Sequence, residues 1–178
     1  MISNEKKQEI ISKSLEYFKK ANIIITDKEK NSIEIADFGL NEVETTGLTI
    51  LTYVNTERVC AKELVMLPNQ TCPEHRHPAV SGEPGKEETF RCRYGKVYLY
   101  VKGEETSNRQ TNPPDAPEGS YTVFHEIVLN PGEQYTLYPN TKHWFKSGGE
   151  GAVVSEFSTK SRDERDIFTD KRIVRVEK

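Results

Sequence analysis

From Leu48 onward the chain is a succession of short β-branched segments separated by Gly- and Pro-containing turns, and this punctuation constrains its fold more than any other feature. Alternation over Leu48–Val54 and Cys60–Leu67 predicts two strands, the second ending at Pro68-Asn69. Residues 90–101 read as a strand pair, with Phe90-Arg91-Cys92-Arg93 as one arm, Tyr94-Gly95-Lys96 as the turn and Val97 to Val101 as the other arm. Further strands are predicted at 121–129, 133–138, 142–146 and 151–158, divided by Pro131-Gly132, Pro139-Asn140 and Gly148-Gly149. Residues 103–120 contain Pro113-Pro114, Pro117 and Gly119 and read as a polar loop. Short strands at such spacing indicate an all-β barrel or a double-sheet jelly roll.

The first 47 residues have a different texture. Ile10, Ile11, Leu15 and Phe18 fall on one stripe among Lys and Glu, which predicts an amphipathic helix over 4–20 capped by Asn4. Thr26-Asp27 opens a second polar segment, read as a helical turn to about Ile35. The expected organisation is a single domain, with an N-terminal helical segment (1–47) packed on a barrel with a C-terminal tail (48–178). Within the tail, Ile167-Phe168 calls for burial, so the tail should fold back over the barrel. A chain of 178 residues buries enough surface to need no disulfide. Its net charge of −3 offers no footprint for nucleic acid or an anionic membrane, and no apolar run approaches the ~20 residues that span a bilayer. The polar start lacks the apolar stretch of a signal peptide, and Cys60, Cys72 and Cys92 form no C-x-x-C pair. The expectation is a cytoplasmic protein with reduced thiols.

His75-Arg76-His77 places two imidazoles at i and i+2, which on a strand point to the same side. Glu88 follows, and His143 comes later, after Pro139-Asn140-Thr141-Lys142. A lone H-x-H is weak evidence of a metal. The order H-x-H, Glu, then a His after a Pro-containing turn is far more specific. Three imidazoles and a carboxylate suit Mn, Fe, Co, Ni or Zn with two coordination positions left open. Glu87 competes with Glu88 for the carboxylate role, and His125, mid-strand among apolar residues, reads as a core or supporting histidine.

This order resembles the cupins, whose first motif is written G-x5-H-x-H-x(3–4)-E-x6-G. His75, His77 and Glu88-x6-Gly95 fit it, with a longer linker, Pro78 to Glu87, in between. The x6-G spacing selects Glu88 over Glu87. The second motif is looser: Gly132, Pro139 and His143 match in role, but Pro139-Asn140-Thr141 replaces P-x-G. The fold implied is a cupin double-stranded β-helix, a jelly-roll barrel, with an N-terminal helical extension. The strings 71–78, 86–100 and 139–145 and the closing Asp166-Ile167-Phe168-Thr169-Asp170 further resemble the D-lyxose isomerases of the cupin class. The similarity runs from about residue 20 to residue 170, leaving the residues before it as an extension. It implies a manganese-dependent aldose–ketose isomerase, interconverting D-lyxose with D-xylulose and D-mannose with D-fructose through a cis-enediol, as a homodimer.

Lys62 and Glu156 each lie inside an apolar strand, where a charge either faces solvent or sits within the barrel. Within the barrel they would form an acid–base pair at the metal, Glu156 as the base and Lys62 as the group that meets the sugar oxygen. Arg93, Trp144, Asp166 and Phe168, together with Lys62, are the expected substrate-binding residues. Tyr98 is a weaker aromatic candidate, and Arg91 and Arg93 make one face of their strand basic. Three rival functions are open, of which a phosphosugar isomerase would use the same metal set and a dioxygenase Fe(II). A cupin phosphosugar isomerase needs a phosphate site, for which Arg91, Arg93 and Lys62 are the only candidates. A dioxygenase would consume oxygen. A non-catalytic sugar-binding cupin would need a second module to receive its signal.

Overall fold

The computed structural model describes residues 2–175, so the last three residues of the expected barrel-and-tail segment lie outside the described residues. Helix α1 (Asn4–Lys20) begins at Ser3, whose hydroxyl accepts from the Lys6 N–H, so the cap falls one residue before the expected Asn4. Ile10 and Phe18 are fully buried and pack with Leu51, Val65 and Val153 on the outside of the barrel. Helix α2 (Asp27–Lys30) is one turn closed by a Thr26–Glu29 capping box. It stops well before Ile35, because Glu34–Ala36 forms strand β1, whose backbone pairs with β2.

The remaining strands are β2 (Leu48–Asn55), β3 (Cys60–Met66), β4 (Thr71–Arg76), β5 (Glu88–Val101), β6 (His125–Leu129), β7 (Gln134–Leu137), β8 (His143–Ser158) and β9 (Ile167–Phe168). Strand β8 joins the sheet together, pairing with β3 and β4 on one side and with β5 on the other, always antiparallel. The sheet curls around a core that includes Ile50, Leu64, Phe90, Leu99, Phe145 and Val154, giving the all-β barrel with an N-terminal helix that the sequence predicts.

Two predicted turns are absent. Tyr94-Gly95-Lys96 does not reverse the chain, and Gly148-Gly149 does not end a strand; β5 and β8 run through both. Register shifts at Cys92/Tyr94 and Gly95/Val97 bend β5 where it crosses β8. Gly95 has φ of 73°, and a Cβ there would stand 2.0 Å from the Gly151 carbonyl oxygen. The glycine therefore marks the close crossing of two bent strands, not a hairpin. The tail does fold back: β9 pairs with β4, burying part of Phe168 but leaving Ile167 41% exposed.

Candidate active site

Strand geometry brings the sequence-predicted ligands together. His75 lies on β4 directly opposite His143, the first residue of β8, and His77 follows one residue beyond the end of β4. Their ligand atoms all lie within 4.8 Å of one another, and all three rings are buried. The His75 Nδ1–H donates to the Pro73 carbonyl at 2.8 Å, and the His143 Nδ1–H to the Thr141 carbonyl at 3.0 Å. A carbonyl can only accept, so in both rings the proton sits on Nδ1 and the Nε2 lone pair is left for a ligand. His77 Nδ1 is 2.5 Å from Asp166 Oδ1, and its Nε2 is 2.9 Å from Glu88 Oε1.

Glu88, the first residue of β5, completes the group at 3.2 Å from His143 Nε2. That contact lacks hydrogen-bond geometry, and His143 Nε2 is a fully buried nitrogen with no hydrogen-bond partner. A buried orphan lone pair is costly. Two more Nε2 atoms and a carboxylate beside it form the donor set of a divalent cation, so the residues present fit such an ion. Burial, reinforced by His143 and His77, pushes His75 well below the ordinary imidazole range, which keeps it in its ligating neutral form. Burial alone would raise Glu88, but Lys86 and His77 outweigh it and hold the carboxyl well below the usual range.

Facing the histidines is an ionic cluster. Lys62 and Glu156 are cross-strand partners on β3 and β8, both buried and both facing the cavity. Lys62 Nζ donates to Ser161 Oγ (2.8 Å) and Asp163 Oδ2 (2.7 Å) and lies 3.8 Å from Glu156 Oε1. Lys86, to which the sequence reading gave no role, is buried at the centre of the cluster. Its Nζ is 2.7 Å from Glu88 Oε2 and 3.1 Å from Glu156 Oε1. Burial would lower Lys86, yet Glu156, Glu88 and Asp163 outweigh it and raise the ammonium well above its ordinary range. Gly85 makes this placement feasible: a Cβ there would stand 1.9 Å from the His77 carbonyl oxygen, so only glycine lets the loop press against the His77–Pro78 backbone and turn Lys86 inward.

These groups line a narrow cavity of about 40 Å³, whose apolar wall includes Phe38, Leu48, Ile50, Phe90 and Phe168. Phe168 stacks on His75 at 5.3 Å. Two of the expected substrate-binding residues are not brought here. Strand alternation turns His143 and Phe145 inward and Trp144 outward, where it stacks on Tyr100 at 3.9 Å and donates to the Val123 carbonyl. Arg93 is exposed and reaches Ser155 on the outer face, and Arg91 bonds Gln134. Tyr98 is likewise absent from the lining, and His125 is partly exposed with its Nδ1–H on the Glu104 carbonyl, far from the role of a core histidine. Asp163 and Arg175 join the lining from the tail without any local sequence signal.

Comparison with known proteins finds relatives over nearly the whole chain. The model of the D-lyxose isomerase family matches residues 17–178. A D-lyxose/D-mannose isomerase of Thermosediminibacter oceani is 65% identical over 176 residues, covering 99% of this chain and 97% of the relative. A D-lyxose ketol-isomerase of Cohnella laeviribosi is 60% identical over 161 residues, 90% of this chain and 88% of the relative. The N-terminal residues expected as an extension are thus shared with the first of these. Among solved structures, ligand-free L-ribose isomerase of Cellulomonas parahominis has the same fold, with a TM-score of 0.74 at 17% identity over 97% of this chain and 94% of the other.

Proposed function

The chain belongs to the D-lyxose isomerase family, and from that premise we propose that it is a metal-dependent aldose–ketose isomerase interconverting D-lyxose with D-xylulose and D-mannose with D-fructose. The observation that carries this reading is a set of three buried imidazoles around a carboxylate, with two lysines and a second carboxylate buried beside them.

His75, His77, His143 and Glu88 would hold the ion, for which Mn2+ is our choice among the divalent cations this donor set suits. A divalent cation held by these residues would supply Lewis-acid polarisation of the sugar oxygens at the reacting carbons. Glu156 serves as the base that carries the carbon-bound proton between C1 and C2 by way of a cis-enediol. Lys86 donates to Glu156 Oε1 and fixes the carboxylate at the cavity wall. Lys62 offers its ammonium to the sugar oxygen, backed by Asp163 and Ser161. Phe38, Leu48, Ile50 and Phe168 exclude water from this transfer.

Free sugars are favoured over phosphosugars, because every cation lining the cavity already faces a carboxylate. Lys62 meets Glu156 and Asp163, Lys86 meets Glu88 and Glu156, and Arg175 meets Glu34 and Asp163. An isomerisation assay of Mn2+-loaded protein across D-lyxose, D-mannose, D-xylose, D-ribose and mannose 6-phosphate tests the reading. We expect turnover of D-lyxose and D-mannose above the rest. Preference for the phosphorylated sugar, or no turnover of any sugar, would contradict it.

A homodimer is part of the proposal. Tyr53, Val54, Val59 and Phe157 are exposed apolar side chains at one end of β2, β3 and β8, where Val54 and Phe157 both flank Ala61. A monomer mass in sedimentation equilibrium would remove it. Three free cysteines, all buried, are in keeping with the reducing cytoplasm that we assign to the protein. Among the described residues no helix is long and apolar enough to cross a membrane.

A further inference from the structure

Glu74 immediately precedes the first histidine of the site. It is 1% exposed, yet its side chain does not line the cavity. Strand alternation sends His75 inward and Glu74 to the other face of β4, where its carboxylate gathers donors from three separate segments. Oε2 accepts the backbone N–H groups of Thr122 (2.5 Å) and Val123 (3.0 Å). Oε1 accepts the hydroxyls of Thr122 (2.8 Å) and Thr169 (2.6 Å) and lies 3.5 Å from Lys142 Nζ, one residue before His143. The Glu74 carbonyl also accepts the Thr169 N–H at 3.0 Å.

The segment held by Thr169 supplies much of the site. Asp166 orients His77, Phe168 stacks on His75, and Asp163 binds Lys62. Its regular pairing with the barrel is only the two residues of β9 against β4. A two-residue edge strand is too short to fix a segment by its ladder alone. The Glu74–Thr169 pair lies directly beyond it and closes the end of that ladder.

We propose that Glu74 is a positioning residue of the metal centre, clasping the tail through Thr169 so that Asp166 stays on His77 and Phe168 on His75. The consequence for metal rests on the isomerase reading above; the clasp itself does not.

The test joins hydrogen exchange over residues 163–170 in the metal-free protein to Mn2+ affinity. Thr169→Val removes one hydroxyl without changing shape and should speed exchange in that segment about tenfold, as expected of one lost hydrogen bond. Thr122→Val removes a hydroxyl bond to the same oxygen, together with the bond that hydroxyl accepts from Lys142, and should leave the tail as slow as in wild type. Glu74→Ala should weaken Mn2+ binding about 10–100-fold, the range for groups that support metal ligands. In an Asp166→Asn background Glu74→Ala should add little, because both act through one interaction. Glu74→Gln should rescue both readouts, since the threonine hydroxyls can accept from its amide. Unchanged tail exchange in Thr169→Val would overturn the clasp, even if Glu74→Ala failed to fold. Multiplicative losses in the double variant would reduce Glu74 to a general stabiliser and likewise overturn the proposal. A wild-type protein that bound no Mn2+ would sink the metal reading, while the exchange measurement would still decide the clasp.

Discussion

Two of the three cavity histidines are oriented by a carbonyl two residues earlier in the chain, His75 by Pro73 and His143 by Thr141. The ammonium groups near them also bind partners 70 to 101 residues away: Lys86 binds Glu156 as well as its neighbour Glu88, and Lys62 binds Ser161 and Asp163. One wall of the cavity is therefore encoded locally, by strand alternation and tight turns. The other is assembled by topology, from β3, the loop before β5, the far half of β8 and the tail. The local wall presents imidazole nitrogens from the ends of paired strands, as a metal site needs. The assembled wall places four charged groups in contact, an arrangement that only the closed barrel can hold together.

Variants that separate the two walls should differ in kind. The largest effect is expected for His143→Ala, which removes a ligand from the local wall: Mn2+ binding in calorimetry and turnover should both be lost. Retained Mn2+ affinity in that variant would move the metal elsewhere. Asp166→Asn sits at the junction, since a tail residue orients His77. We expect about 10–100-fold weaker Mn2+ binding, with partial recovery of turnover at saturating metal. An affinity equal to wild type would detach the tail from the metal site.

The smallest effect concerns pH. In the metal-free protein burial disfavours a charged His77, but Glu88 and Asp166 outweigh it and raise this imidazole to about 9. A folded pKa above the unfolded value near 6.5 means that the contribution is complete below pH 6.5 and lost as pH rises through about 9. The melting temperature of metal-free protein should accordingly decline between those limits, by about 2–4 °C for each kcal/mol lost. Saturation with Mn2+, which takes His77 as a neutral ligand, should flatten that decline. A metal-free melting temperature that rises over the same interval would contradict the assignment.

The same division explains what the sequence reveals. His75, His77, Glu88 and His143 are legible because their order, spacing and strand period mark them, although the pairing that sets His143 opposite His75 joins strands distant in the sequence. Lys62 and Glu156 stand out as charges in apolar strands, but which face of the sheet they occupy depends on the curl. Lys86 lies in a Gly- and Pro-rich loop that reads as an insertion, and nothing local says that Gly85 folds it against the His77 carbonyl. Trp144 misleads for the opposite reason: its place beside His143 suggests the pocket, while the period of two sends it to the other face, against Tyr100. The Gly95 and Gly148 signals are real chain punctuation, yet they mark bends in two crossing strands.

The measurement that bears most directly on the account is the turnover of Glu156→Gln on D-lyxose, with Mn2+ affinity determined on the same preparation. Glu156 belongs to the assembled wall and touches none of the histidines, so the variant should bind Mn2+ as wild type does. Loss of a positioned base should lower kcat by about 10²–10⁴-fold. Wild-type turnover, or a loss of activity that follows a loss of metal, would contradict the division of labour between the two walls.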